Sequence, residues 1–230
     1  MKKLFLSALT LSFFFSLTCT AQDKGELDIR LRGVAVVPQE SATIGVIGGN
    51  VSIDNSFIPE LDFTYFFAKN LSAELILGTT RHSVSTVGSN LSAIGGPSSA
   101  SVNLGKVWLL PPTLTLQYHL PTGTAFKPYL GAGVNYTIFY GVNNGPTVSK
   151  VSYKDKFAFA VQGGFDFDVS KKVFINVDVK KVFLSTDVTV NAANLTPAEN
   201  PQLAPVLANI PAAVKINPWL LGVGVGYRFK

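Results

Sequence analysis

The chain has one cysteine, one methionine and two histidines among its 230 residues, and only 14% of it is charged. The cysteine belongs to the opening stretch. Lys2 and Lys3 precede an apolar run from Leu4 to Leu17, and the residues Thr18, Cys19, Thr20 and Ala21 follow. This order of charged, apolar and small segments is the form of a secretory signal, with cleavage predicted after Ala21. Residues 1–21 are then a signal peptide, and residues 22–230 form one mature domain. Thr18 is a poor match to the residue that precedes a lipid-attachment cysteine, so Cys19 is expected to leave with the signal. A mature chain without cysteine has no disulfide and no thiol chemistry.

Long apolar runs are missing too. The run in the signal is shorter than the ~20 residues of a bilayer-spanning helix. Nothing after it approaches ~18 consecutive apolar residues. Removing Lys2 and Lys3 from 19 basic residues leaves 17 against 14 acidic ones, a formal charge of +3. With so small a bias and no Lys/Arg run, no nucleic-acid partner is expected.

The chain is instead rich in alternation. In Trp219–Phe229, the residues Trp219, Leu221, Val223, Val225, Tyr227 and Phe229 share one parity, and Leu220, Gly222, Gly224, Gly226 and Arg228 share the other. Successive side chains of a strand point to opposite faces, so one face is wholly apolar, with aromatics at both ends. That pattern suits a strand whose middle meets lipid and whose ends meet headgroups. Period-two reading predicts eight such segments: 26–37, 57–67, 71–82, 107–120, 126–140, 157–169, 173–190 and 219–229. Lys181 falls on the apolar parity of the seventh, which predicts a bulge or the end of the lipid band there.

Three connections are short: Ala68-Lys69-Asn70, Pro121–Ala125 and Ser170-Lys171-Lys172. The four others, near 38–56, 83–106, 141–156 and 191–215, are long and rich in Gly, Pro, Asn and Ser. Strict alternation of short and long with an even strand count predicts an all-β fold: an eight-stranded antiparallel up-and-down transmembrane β-barrel. Its short turns are periplasmic and its long loops extracellular. A Greek-key sandwich has no reason to keep that alternation, and the apolar outer parity of every strand disfavours a soluble lipocalin-like carrier. In the last loop, Asn200 as N-cap and Pro201 at the first helical position predict a turn or two of helix. Leu203, Val206, Leu207 and Ile210 follow at helical spacing. They form either an apolar patch on the barrel rim or a ligand gate.

Several stretches resemble the outer-membrane protein W (OmpW) family. They are Pro59–Phe67, Leu71–Leu77, Leu109–His119, Lys127–Thr137, Asp178–Lys181 and Asn217–Trp219, in the family's order and covering most strands. The resemblance implies an eight-stranded outer-membrane barrel with a narrow lumen that passes small hydrophobic compounds into the membrane. The final Lys230 departs from it, since such barrels usually stop at the terminal aromatic, here Phe229.

On the inward parity lie Asp28, Arg30, Arg32, Glu60, Asp62, Glu74, Asp166, Asp168, Asp178, Lys180 and Arg228. An eight-stranded barrel is about filled by its own side chains, so mixed charges must pair there. They are expected to plug the periplasmic half. Nearer the long loops the lining turns apolar, with Val34, Val36, Phe139, Val182, Leu184 and Leu220. Gly131, Gly133, Gly164, Gly222, Gly224 and Gly226 share the inward parity and either leave a pocket or make room for long side chains opposite. His82 and His119 stand at opposite ends of their strands, ~25 Å apart, and cannot share a metal. No Ser-His-acid set assembles, and Gly222–Gly226 is followed by no helix to receive a phosphate. Neither enzyme, cofactor nor metal site is therefore expected.

The predicted function is passage of small hydrophobic solutes from the exterior into the bilayer by a lateral route, because the plug blocks the periplasm. The alternative is a closed structural or adhesive barrel whose loops serve phages or bacteriocins as a receptor. Expected partners are outer-membrane lipid, the solutes themselves, and periplasmic chaperones and barrel-assembly machinery during biogenesis. The expected location is the outer membrane of a Gram-negative bacterium.

Overall fold

Alternating β-branched and aromatic residues on one parity and polar ones on the other make each long segment a strand. The computed structural model describes residues 24–230; the predicted signal peptide lies outside the described residues. The strands are β1 (Leu27–Val37), β2 (Ser41–Ile44), β3 (Asn50–Ile53), β4 (Ser56–Ala68), β5 (Leu71–Gly78), β6 (Thr80–Val87), β7 (Asn103–Leu110) and β8 (Thr113–His119). They continue as β9 (Phe126–Asn144), β10 (Lys150–Tyr153), β11 (Lys156–Asp168), β12 (Val173–Phe183), β13 (Ser185–Asn191), β14 (Ile210–Lys215) and β15 (Trp219–Phe229).

Eight of these close a barrel in the order β11, β12, β15, β1, β4, β5, β8, β9 and back to β11, every pair antiparallel. The seam between the chain ends is in full register, from Leu27 opposite Phe229 to Val37 opposite Trp219. Closure leaves no edge strand, and a lipid-embedded sheet requires that. The short turns carry suitable chemistry: Asn70 adopts φ 65° between β4 and β5, a conformation asparagine tolerates well. Ser170 Oγ accepts the amides of Lys172 and Val173 between β11 and β12.

The four connections read as long loops are not simply loops. They hold β2, β3, β10 and β14, the upper parts of β6, β7 and β9, and a short helix, α1 (Ala204–Leu207), while β13 is the upper part of the seventh predicted segment. Two sheets, β10-β13-β14-β2 and β3-β6-β7 beside β9, carry the wall outward beyond the barrel. Four-residue strands between Gly, Pro and Asn give too short an alternation to stand out in the sequence. β12 and β13 show what changes along the wall. Phe174, Asn176, Asp178, Lys180, Val182, Leu184, Thr186, Val188 and Val190 all face inward and are buried. The inner parity turns from polar to apolar just above Lys180. The outer parity turns the other way, from Ile175, Val179 and Phe183 to Ser185, Asp187 and Thr189.

Lys181 sits at that changeover. The register of β12 on β11 is unbroken through it and that on β15 runs up to it, so it is no bulge and lies near the end of the lipid band. Its ammonium donates to Asn217 O and lies 4.8 Å from the centre of the Trp219 ring. The buried apolar cluster is accordingly confined to the outer part, with Val84, Val107, Leu109, Val148, Val188, Leu207 and Val214 among its members. In the helical segment Asn200 does not cap with its side chain; its carbonyl accepts the Leu203 amide, and its Oδ1 accepts from Gln202.

Candidate functional site: a polar plug beneath an apolar cavity

All eleven charged residues predicted for the lumen are buried, and two ion-pair networks hold them, one around Arg30 and Arg32 and one around Arg228. Arg30 Nε lies 2.6 Å from Asp62 Oδ1, its Nη2 2.7 Å from Glu74 Oε1 and its Nη1 3.5 Å from Asp166 Oδ1; Thr64 Oγ1 accepts a further bond. Arg32 Nη2 lies 2.9 Å from Glu60, 3.0 Å from Asp62 and 3.1 Å from Glu74. Glu74 Oε2 accepts from Gln117 at 2.7 Å, Gln162 at 2.6 Å and Thr115 at 3.2 Å. Nearer the short turns, Arg228 reaches Glu26 at 2.8 Å, Asp28 at 3.3 Å and Asp168 at 3.1 Å.

Buried ions in a space this narrow persist only when each has opposite charge and hydrogen bonds around it. Sequence reasoning missed Glu26, Lys127 and Tyr129. Lys127 pairs with Asp168 at 2.8 Å, and the Tyr129 hydroxyl donates to Asp178 at 2.9 Å. Their parity would have found them, since Lys127 and Tyr129 alternate with Gly131 and Gly133. With them, the buried carboxylates Glu26, Asp28, Glu60, Asp62, Glu74, Asp166, Asp168 and Asp178 face the buried cations Arg30, Arg32, Lys127, Lys180 and Arg228.

The inward glycines leave no pocket in this half. A Cβ on Gly226 would run into the ring of Phe174, and one on Gly164 into the Tyr129 hydroxyl and Val177 O. On Gly224 it would meet Leu31 O and then Arg32. The missing side chains give the space to large neighbours. His119 belongs to the plug, with Nε2 3.1 Å from Gln117 Oε1 and 3.2 Å from Ser72 Oγ. His82 belongs to the outer part, with Nδ1 2.7 Å from Asp54 O and Nε2 3.0 Å from Thr80 Oγ1. The two share no partner.

Above the plug the interior opens. A cavity of about 110 Å³ lies within the extracellular extension, lined by Val51, Val84, Leu104, Val107, Phe139, Tyr153, Val188, Leu203, Leu207 and Val214 among others. Its few polar neighbours are His82, Thr86, Asn90 and Thr186. Burial in these walls pushes the Tyr153 hydroxyl up from 10.0 to about 12, and its ring stacks on Phe139 at 5.3 Å. Leu203, Val206 and Leu207, on and beside α1, line the top.

A second space of about 50 Å³ lies below, walled by Val36, Ile58, Ile76, Val182, Leu184 and Leu220. Glu60, Thr80, Thr113, Asn135, Thr137 and Lys180 also line it. His82, Leu109 and Ile216 border both spaces. Of the six apolar lining residues predicted, Val36, Val182, Leu184 and Leu220 border the lower space and Phe139 the upper. Val34 packs with Val36, Ile58 and Leu220. The larger apolar chamber was not foreseen beyond Phe139, because most of its residues come from the stretches read as loops.

A closed eight-stranded barrel with a filled polar lumen and an extended outer wall narrows the choice of relatives. The sequence profile of the OmpW family matches residues 23–229. The chain belongs to the OmpW family. The uncharacterized outer-membrane protein y4mB of Sinorhizobium fredii (strain NBRC 101917 / NGR234) is 44% identical over 202 residues, 87% of this chain and 79% of the relative. Outer membrane protein W of Escherichia coli (strain K12) is 31% identical over the whole of both chains. The crystal structure of outer membrane protein OprG from Pseudomonas aeruginosa superposes with a TM-score of 0.75 at 27% identity, covering 91% of this chain and 98% of that one. This OmpW-family member is therefore an outer-membrane β-barrel, as its alternation and topology predicted.

Proposed function

We propose that the barrel takes small hydrophobic molecules from the cell exterior and releases them sideways into the bilayer. The observation that carries this reading is the apolar chamber standing directly on a plug of buried ion pairs. A solute that sheds water in the chamber gains roughly 25 cal/mol per Å² of apolar surface. To continue toward the periplasm it would have to separate paired charges, which is far costlier.

The wall offers a cheaper exit. Ladder pairing between β4 and β5 stops at Glu60 opposite Gly78 and resumes between β3 and β6 at Ile53 opposite Val84. Pro59 stands in this interval without an amide proton to donate. Ile58 and Glu60 on one side of the interval, and Gly78, Thr80 and His82 on the other, border the lower space. Few backbone bonds need to part for a solute to pass there.

Uptake of a small apolar dye into liposomes carrying the barrel, measured beside ion conductance, tests the reading. Faster dye entry than in empty liposomes with low conductance is expected. A rate equal to that of empty liposomes would overturn uptake altogether. Dye entry that survives cross-linking of position 58 to position 80 through introduced cysteines would overturn the lateral exit at this interval.

A further inference from the structure

The lower space is not uniformly apolar, and its polar groups are spoken for with one exception. The Asn135 amide nitrogen donates to Pro111 O and Thr113 Oγ1 at 3.0 and 2.8 Å, and its oxygen accepts from Thr137 at 2.7 Å. His82 bonds to Thr80 Oγ1 through Nε2 and to Asp54 O through Nδ1. Glu60 lies 2.9 Å from Arg32. Lys180 differs: its side chain is 2% exposed, and its only ion pair is a loose one, 3.6 Å to Asp178 Oδ1. No described residue accepts a hydrogen bond from it. On the ladder it stands opposite Leu220, which stands opposite Val36, so an ammonium lies beside the apolar lining with donors unspent. A buried ammonium that donates nothing is costly.

We propose that Lys180 is a ligand site, and that the preferred solutes carry one neutral oxygen acceptor, a ketone or hydroxyl, on an otherwise apolar body. This rests on the uptake reading above and narrows it. The oxygen would take Lys180's free donors while the apolar body extends past His82, Leu109 and Ile216 into the upper chamber. A neutral head is assigned because buried carboxylates already outnumber buried cations, eight to five. A carboxylate head would add to that surplus, whereas a ketone oxygen does not.

The test uses three fluorescent molecules of nearly one shape: ethylnaphthalene, acetylnaphthalene and naphthoate. Each is titrated against the full barrel in lipid nanodiscs, with empty nanodiscs subtracted to remove partition into lipid. Acetylnaphthalene should bind about tenfold more tightly than ethylnaphthalene, the gain of one hydrogen bond to a charged donor. K180M should abolish that preference, and K180R should keep it. The barrel should tolerate K180M, because Asp178 retains the Tyr129 hydroxyl at 2.9 Å and Arg32 at 3.8 Å. Equal binding of the ketone and the hydrocarbon, or a preference that survives K180M, would overturn the site while leaving uptake intact. Tighter binding of naphthoate would overturn the neutral head. Failure of ethylnaphthalene to bind the wild-type barrel at all would overturn the uptake reading and this one together.

Discussion

Arg30 Nη2 lies 2.7 Å from Glu74 Oε1 although β4 separates their strands. Reaching past a neighbouring strand is possible only because the lumen is narrow, and it makes Glu74, like Asp62, a meeting point of Arg30 and Arg32. Glu74→Ala should therefore destabilise the barrel by about 3–5 kcal/mol, the usual cost of leaving a buried charge without its partner. Glu60 contacts only Arg32, which keeps Asp62 and Glu74, so Glu60→Ala should cost less. Urea unfolding from lipid vesicles measures both, and a larger loss for Glu60 would overturn this ranking.

Outside, Leu116 and Val223 are 62% and 59% exposed on the face that meets lipid, with Val134, Val161 and Val177 on the same parity of their strands. Arginine at any of these should cost ~2–4 kcal/mol near the midplane. The same unfolding assay checks it, and unchanged stability for all five variants would mean that this band does not face hydrocarbon.

Gly226 makes a sharper steric prediction. Its Cβ position is occupied by the Phe174 ring, so Gly226→Ala should cost about 1–3 kcal/mol through overpacking. Gly131→Ala meets only the flexible Gln162 and Gln117 side chains at 3.0 and 3.1 Å and the Leu116 carbonyl at 3.1 Å, and should cost less. Pairing Gly226→Ala with Phe174→Leu should recover part of the loss; no recovery would place the strain elsewhere.

The dryness of the chamber can be read from Tyr153. Below its ordinary value of 10.0 the hydroxyl keeps its proton whether the chain is folded or not. Between 10.0 and about 12 the unfolded chain releases it and the folded chain does not. Stability is therefore lost as pH rises through this window, by ~3 kcal/mol for two units. Tyr153→Phe should remove that loss and the matching late tyrosinate absorbance in a difference spectrum against wild type. A tyrosinate signal from Tyr153 appearing near 10 would mean a chamber full of water.

Much of this was legible in the sequence wherever a strand crosses hydrocarbon. There each residue has only two environments, lipid or lumen, and chemistry follows parity without exception from Asp28 to Arg32 and from Glu60 to Thr64. The plug was readable for the same reason. Legibility was incomplete at Lys127 and Tyr129, which keep the inward parity of Gly131 and Gly133 but differ from those small residues in chemistry. It failed more widely above the membrane. Val51, Val84 and Val148 line a chamber built largely from short strands in the stretches read as loops, and no single stretch of the sequence holds enough of it to be seen.

The exchange of inner and outer chemistry at Lys181 has a consequence for how the molecule rides in its membrane. Up to Phe183 the outer surface of this wall favours oil; from Ser185 on it favours water, so vertical displacement in either direction exposes the wrong face. A smooth transmembrane rod meets a thicker or thinner bilayer by sliding or tilting, at a modest cost per ångström of mismatch. This wall has little freedom to do so, and the surrounding lipid must adjust its height instead. The barrel then fixes the local thickness of the leaflet around its own rim.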